Sequence, residues 1–376
     1  MYSFNISNEV ESEEWDKNLK KSSYSSFFQT AEYLFSESYS GDKFPIFISV
    51  FDHIGNIKGQ LGIIIQKTPM IYSTKFLRPL GNIVSVFGRR ASWIGGPIIH
   101  SNEKESREKI LKIIIDGLEK VAKENNVIII DGYTPPQDTQ IDNEYKTQFR
   151  NGYYIIEDFI TYVTDLSKSE EEIWNLLNKS AKRDITKAQK NNIVVKELDY
   201  EDLKDFFNIY KIWSKTKGVE KSVTSMMKEG YWNYYKKGVE KVFLAYEDDK
   251  VVSSHRFGCF NGIVYSHSLV NTYSRPGGVS GPFLTWYTLQ WAKKNGMKIY
   301  DYSGGESPYT NHRNDKLYDK QWNSLLGYKK KWGGQEFPYF HFIRIRKKLS
   351  YRIFRLLLKL DWIIRDFKKT RYKERR

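Results

Sequence analysis

Apolar positions along the chain alternate between helical and strand spacing. Between Asn102 and Glu124, Ile110, Ile113, Ile114, Leu118 and Val121 fall on one face of a helix. Ser167 to Lys190 reads as one helix, with Ser169 and the acidic Glu170, Glu171 and Glu172 at its start and Asn191-Asn192 at its stop. Further helices are predicted over Ser26 to Ser38 (capped near Thr30), Tyr200 to Thr216, Ser225 to Lys237, Gly281 to Asn295 and Trp322 to Tyr328. Strand patterns cover Pro45 to Phe51, Lys58 to Gln66, Lys75 to Leu80, and Ser92 to Ile99, the last broken by a tight glycine turn. They continue at Val127 to Asp131, Phe159 to Asp165, Lys298 to Tyr302 and Glu336 to Ile345. Val242 to Tyr246, Val251 to Phe260 and Ile263 to Val270 read as a meander. Ser303 to Lys320 has few apolar residues and reads as a long functional loop.

Two of these passages repeat in register. Ala122 to Asp131 and Ala292 to Asp301 both run from a helix end through an Asn or Gly cap into a short buried strand that stops at Asp. Phe47 to Gly59 and Phe243 to Ser253 both read as strand, polar turn, strand. The repeated unit is of domain size, so the pattern predicts an α/β (α+β) protein of two related domains with mixed sheets. The expected boundaries are 1–155, 156–345 and a tail at 346–376.

Composition adds a location and a partner class. The sole cysteine, Cys259, sits in a predicted strand and reads as core, and no CxxC or HxxxH spacing suggests a metal. The acidic start, Met1 to Asn18, lacks a signal-peptide pattern, and no run approaches a membrane span, so a cytoplasmic protein is expected. From His341 onward fourteen Lys or Arg stand against three acids, placing eleven of the net fifteen positive charges in the tail. Leu349 to Phe367 carries an apolar stripe of Ile353, Leu356, Leu357, Leu360, Ile363, Ile364 and Phe367, bordered by Arg352, Arg355, Lys359 and Arg365. Such a basic amphipathic helix packs on its own protein, lies on an anionic membrane at the inner face of the cell, or touches nucleic acid. The bulky face favours the membrane.

Arg275-Pro276-Gly277-Gly278-Val279-Ser280-Gly281, before a predicted helix, is the glycine-rich element whose backbone amides could face an anion. It resembles the pyrophosphate loop of the GNAT acyltransferases, with Ser280 where Gly or Ala is usual; that resemblance makes Arg275, Gly277, Gly278 and Gly281 candidates for an acyl-CoA site. An ordinary glycine turn is the competing reading.

A more specific set lies in order along the chain. It comprises Phe28-Gln29-Thr30 with Tyr33, Gly95-Gly96-Pro97, Trp174 to Lys190 followed by Val194-Val195, Tyr300 to Gly305, and Gly327 to Gly334. Together, over roughly Phe27 to Phe342, these segments resemble the FemAB/FemX family of tRNA-dependent aminoacyltransferases. The resemblance implies two fused GNAT-like domains, with no tightly bound cofactor and aminoacyl-tRNA as donor. It implies a lipid-linked or nucleotide-linked cell-envelope precursor as acceptor, bound in a groove between the domains. Attack of an amine on an ester needs stabilisation of the developing oxyanion. In the family pattern Phe-Lys-x-x-Phe-Gly the lysine serves that purpose; it falls on Lys329, with Tyr328 replacing Phe. Tyr328 and Trp332 are expected to flank the ammonium, the competing reading of Lys329 to Lys331 being a solvated basic turn.

Arg183 and Lys182 fall on the family's groove helix, as candidates for pyrophosphate or the tRNA backbone, or as cations at a helix C-terminus. Gln29, Tyr33, Tyr302 and Arg313 are further substrate candidates. Asp301 could orient an amine or water, or cap the next turn, a structural role that its repeat-mate Asp131 favours. His255 and His267 read as satisfied sheet residues, while His312 lies in the polar loop. The chain lacks room between Tyr200 and Gly238 for the long coiled-coil hairpin of some members. Two rival functions stay open: a CoA-dependent N-acyltransferase, and a non-catalytic nucleic-acid or membrane-binding protein.

Overall fold

The computed structural model describes residues 2–23, 25–66, 79, 88–135, 139–216, 225–272, 278–306 and 325–374. They divide into two compact units, residues 1–158 with 339–376 and residues 159–217 with 221–338. The strand expected at Lys75 to Leu80 (residue 79 apart), the glycine-loop residues Arg275 and Gly277, and Arg313 and His312 lie outside the described residues.

In the first unit, β1 (Ser3–Ser7), β2 (Lys43–Phe51), β3 (Ile57–Gln66), β4 (Arg89–Trp93), β6 (Val127–Tyr133) and the chain's last strand β14 (Gln335–Ile345) lie side by side in that order. The short β5 (Ile98–Ile99) pairs with β3. The β2–β3 hairpin is antiparallel and β4 runs parallel to β6. Between β4 and β6 the chain crosses over through α3 (Lys104–Glu124), preceded in sequence by α1 (Ser12–Leu19) and α2 (Ala31–Glu37). α3 buries Ile110, Leu111, Ile114, Leu118 and Val121 against the sheet. Each such side chain contributes about 2 kcal/mol. It stops at Asn125 because Asn126 takes the left-handed conformation (φ 55°) that asparagine tolerates. α4 (Thr139–Asn151) supplies Tyr145 and Phe149 to the same core.

The second unit repeats this plan. Its strands lie in the order β8 (Val194–Glu197), β9 (Glu240–Glu247), β10 (Lys250–Phe260), β11 (Ile263–Asn271), β12 (Ile299–Asp301) and β7 (Ile155–Asp165), and the short β13 (Gly305–Glu306) pairs with β7. The β9–β10 hairpin is antiparallel, and β11 runs parallel to β12 through the crossover helix α9 (Ser280–Lys294). α9 ends at Asn295 followed by left-handed Gly296 (φ 72°), as α3 ends at Asn125-Asn126. The echo of helix, cap and strand in the sequence is therefore the crossover into a parallel strand, made once in each unit. α5 (Glu170–Leu176), α6 (Lys179–Lys190), α7 (Leu203–Thr216) and α8 (Ser225–Tyr235) complete this unit. Among the described residues α7 has 14 residues and α8 has 11.

Three expectations change. The helix read over Ser167 to Lys190 is two helices, because Leu177 is extended (φ −63°, ψ 139°) and Asn178 caps a new start by accepting from Ala181 N. The late strand, expected in the second domain, pairs its His341 to Ile345 antiparallel with Ile129 to Tyr133 of β6, and these residues belong to the first unit. The tail is not a separate body: α10 (Lys348–Glu374) packs Phe354 and Leu357 on Ile128 and Ile129. No described helix is long and apolar enough to cross a membrane.

Candidate functional site in the second unit

Strand β12 ends at Asp301, and the chain turns at once. Asp301 is 6% exposed; its carboxylate accepts from Thr161 Oγ1 of β7 and from Ser303 N at 2.8 Å. Ser303 thereby sits at φ 58°, a conformation a non-glycine residue holds only when its surroundings enforce it. Its Oγ donates to Ser266 O of β11. The outcome is a turn whose Ser303 and Gly304 carbonyls point the same way. Lys329, in the helical segment 325–330, donates its Nζ to both, at 2.5 and 2.8 Å.

Lys329 is 8% exposed. Burial pulls its ammonium down from the ordinary 10.5 to about 8, a shift that the nearby Asp301 carboxylate opposes. Burial likewise raises the Asp301 carboxyl, against the hydrogen bonds from Thr161 and Ser303 and the charge of Lys329. An ammonium has three N–H donors. Two are spent on these carbonyls, and one remains.

The Lys329 turn is locked from the other side by its neighbours. Trp332 is fully buried and stacks at 6.4 Å on Tyr302, whose hydroxyl bonds Thr164 Oγ1 at 3.1 Å. Lys331 O accepts from Asn178 N at 2.9 Å, so the α5–α6 break docks on this turn. Gly333 is left-handed (φ 71°), and a Cβ there would lie 2.3 Å from Leu176 O. Gly333→Ala is therefore expected to destabilise this unit by about 3 kcal/mol, from strained backbone plus collision with a carbonyl. Gly327→Ala, where a Cβ meets nothing within 4 Å, serves as the contrast. Urea unfolding of both variants checks this, and equal midpoints would refute it.

The rings expected around Lys329 belong to its neighbour. Lys331 Nζ lies 4.4 Å from the Tyr328 ring and 5.4 Å from that of Trp332, and 3.6 Å from Asp184 of α6. Lys329 is desolvated by packing and held by carbonyls instead. Tyr328 directs its hydroxyl to Thr285 Oγ1 at 3.0 Å, and Thr285 bonds Gly281 O at 3.1 Å, so the first turn of α9 borders the site. A Cβ at Gly281 would meet the end of the Asn271 side chain at 2.6 Å. Gly278 is exposed. Arg183 on α6 is 76% exposed with Asp184 3.3 Å away, and Lys182 Nζ lies 5.9 Å from the Trp174 ring.

The structure thus gathers Asp301, Tyr302, Tyr328 and Lys329 and sets α6, with Lys182 and Arg183, beside them. Gln29 and Tyr33 belong to the first unit. Gln29 is fully buried; its amide donates to Gly62 O and Ile94 O at 3.2 and 2.8 Å and accepts from Gly62 N at 2.7 Å. Gln29 is a structural tie rather than a substrate contact, since no part of its amide faces solvent. Half-buried Tyr33 packs on Phe27 and Phe28. Asp131 is structural too: it pairs with Arg90, whose Nε lies at 2.7 Å, and with His341.

His255 donates to or accepts from Thr288 and Ser266 at 3.0 and 2.8 Å, and burial pulls it down to about 3, so it is a neutral core residue. Burial pushes the Cys259 thiol up to about 12, against Lys241. Sequence reasoning missed Thr161 and Ser303. The Asp-x-Ser spacing of Asp301 and Ser303 is a readable turn signal; Thr161 lies 140 positions away and left none.

Residues 147–248, which contain α5, α6 and the start of the β9 hairpin, match the FemAB family. The same plan of two repeated units recurs in the crystal structure of FemX, at TM-score 0.66 and 12% identity over 93% of this chain and 99% of that one. The chain has the tandem GNAT-like fold, and the segment that matches the FemAB family is less than half of it. L-PGS from Bacillus licheniformis resembles this chain at TM-score 0.53 and 12% identity, covering 93% and 99% of the two chains. A tandem GNAT protein from the clavulanic acid biosynthesis pathway does so at 0.51 and 8%, covering 92% and 98%. At these identities the likenesses establish the fold. No curated protein matches the chain by sequence.

Proposed function

We propose that this protein transfers an aminoacyl group from aminoacyl-tRNA to an amine of a cell-envelope precursor of the peptidoglycan type, lipid-linked or nucleotide-linked, on the cytoplasmic side of the membrane. The observation that carries the reading is the buried Lys329 ammonium with two of its donors fixed on the Ser303 and Gly304 carbonyls. The acceptor amine attacks the ester carbonyl, and the carbonyl oxygen becomes an oxyanion. The third N–H of Lys329 meets that charge in a site of low polarity, where one preorganised donor counts most. Collapse of the intermediate expels the tRNA ribose oxygen, which takes up the proton the amine loses. Asp301 holds the turn that aims the lysine and so acts as a positioning residue. Arg183, exposed on α6, is available to a phosphate of either substrate.

The segment that matches the FemAB family supports this reading over an acyl-CoA donor. Incubating the purified protein with a peptide-amine acceptor and either charged tRNA or acyl-CoA tests it. Transfer from charged tRNA is expected; transfer from acyl-CoA alone would replace the proposal with a CoA-dependent N-acyltransferase.

A further inference from the structure

Helix α10 carries two apolar faces. One, with Phe354, Leu357 and partly buried Ile364, is packed on β6 and β14. The other faces outward: Leu349, Ile353, Leu356, Leu360, Ile363 and Phe367 are each 41–72% exposed. At 100° per residue these six fall within an arc of about 80°, and at 1.5 Å per residue they run for about 27 Å along the helix. Exposed Lys348, Arg352, Arg355 and Lys359 line the flank of this stripe away from the packed face.

We propose that this outer face of α10 is a docking surface for an anionic lipid bilayer, on which the helix lies parallel to the membrane plane. The helix is already tethered to the first unit through Phe354 and Leu357, so it presents the stripe without having to fold on contact. Its apolar side chains enter the boundary between headgroups and acyl chains while the basic flank stays among the phosphates. The occupant is decided by charge. From Lys348 to the end of the chain, eleven Lys or Arg stand against three acids. Two copies paired along the stripe would press two such basic flanks together, whereas anionic headgroups neutralise them. A nucleic acid would satisfy the charges and leave the Leu, Ile and Phe side chains in water. The inference stands on this helix and not on the transfer reaction.

Flotation of the full chain with phosphatidylcholine vesicles, with and without phosphatidylglycerol, tests it. Binding is expected only with the anionic lipid and should weaken as salt rises. Leu356→Asp with Ile363→Asp should lower binding at least about tenfold, and Arg352→Glu with Arg355→Glu and Lys359→Glu by a similar factor or more. All five positions are exposed, so an unchanged unfolding midpoint confirms an intact fold. Absent binding to anionic vesicles, or binding that neither variant reduces, would overturn the proposal. So would a lipid-free dimer in sedimentation velocity that Leu356→Asp with Ile363→Asp dissociates, which would give the stripe to a second copy. Vesicle binding by Lys329→Met, a variant expected to lose transfer, keeps the two readings separable.

Discussion

Lys329→Met should lower the turnover of aminoacyl transfer by about 10²–10³-fold while leaving the protein folded, the range found when a single oxyanion donor is removed. Met keeps the length and the buried stem and removes only the charge and its donors. The ammonium is held at about 8 by burial. The active, protonated form therefore dominates below that pH, and the wild-type rate should decline as pH rises through it, with the decline absent in the residual activity of the variant. Stability moves the other way. The folded value lies below the ordinary 10.5, so between about 8 and 10.5 the unfolded chain binds more protons and stability rises with pH. Below that window the charged lysine weighs against folding, which offsets the two hydrogen bonds lost in Lys329→Met and keeps its stability within about 1 kcal/mol of wild type. Measured transfer rates across pH decide the point. A rate unaffected by Lys329→Met would remove the lysine from the chemistry.

Glu240→Ala should be the most damaging change to stability. The Glu240 carboxylate, at the start of β9, has no exposed side-chain surface and accepts from Arg256 Nε and Nη2 at 3.0 and 2.8 Å. His267 Nε2 lies 2.9 Å away, and the Tyr231 hydroxyl also donates to it. Removing the carboxylate strands a largely buried guanidinium, which costs about 3–5 kcal/mol. For a unit of this size that lowers the melting temperature by roughly 10 °C. Burial alone would raise the Glu240 carboxyl, but Arg256 and His267 together bring it to about 2, below the ordinary 4.5. Its contribution is thus complete above pH 4.5 and is lost as pH falls toward about 2, so Glu240→Gln should flatten the acid limb of the stability profile. A melting temperature within a degree or so of wild type would show that the network holds nothing together.

The local elements and the doubled plan were legible in the sequence, because each rests on neighbouring residues. The 3.6-residue period of α3, the Asn caps after α3 and α9, and the strand-turn-strand pairs β2–β3 and β9–β10 are short-range signals. Lys329 was legible only through its place in a family pattern, and its burial was an expectation from that pattern. Tertiary structure decided the rest. Whether a ring next to lysine in sequence is next to it in space depends on the side of the turn each faces, so Tyr328 and Trp332 went to Lys331. Gln29 carries no mark separating a substrate contact from a tie, since that depends on Gly62 and Ile94 lying across from it. The strand β14 crosses back to the first unit because a strand's pattern records that one face is buried and never which partner buries it. The sequence by itself thus determined the periodicities, the caps and the concentration of charge in α10. Only the packed chain decided which face of α10 stays exposed and which carbonyls hold Lys329, because both depend on contacts between residues far apart along the chain.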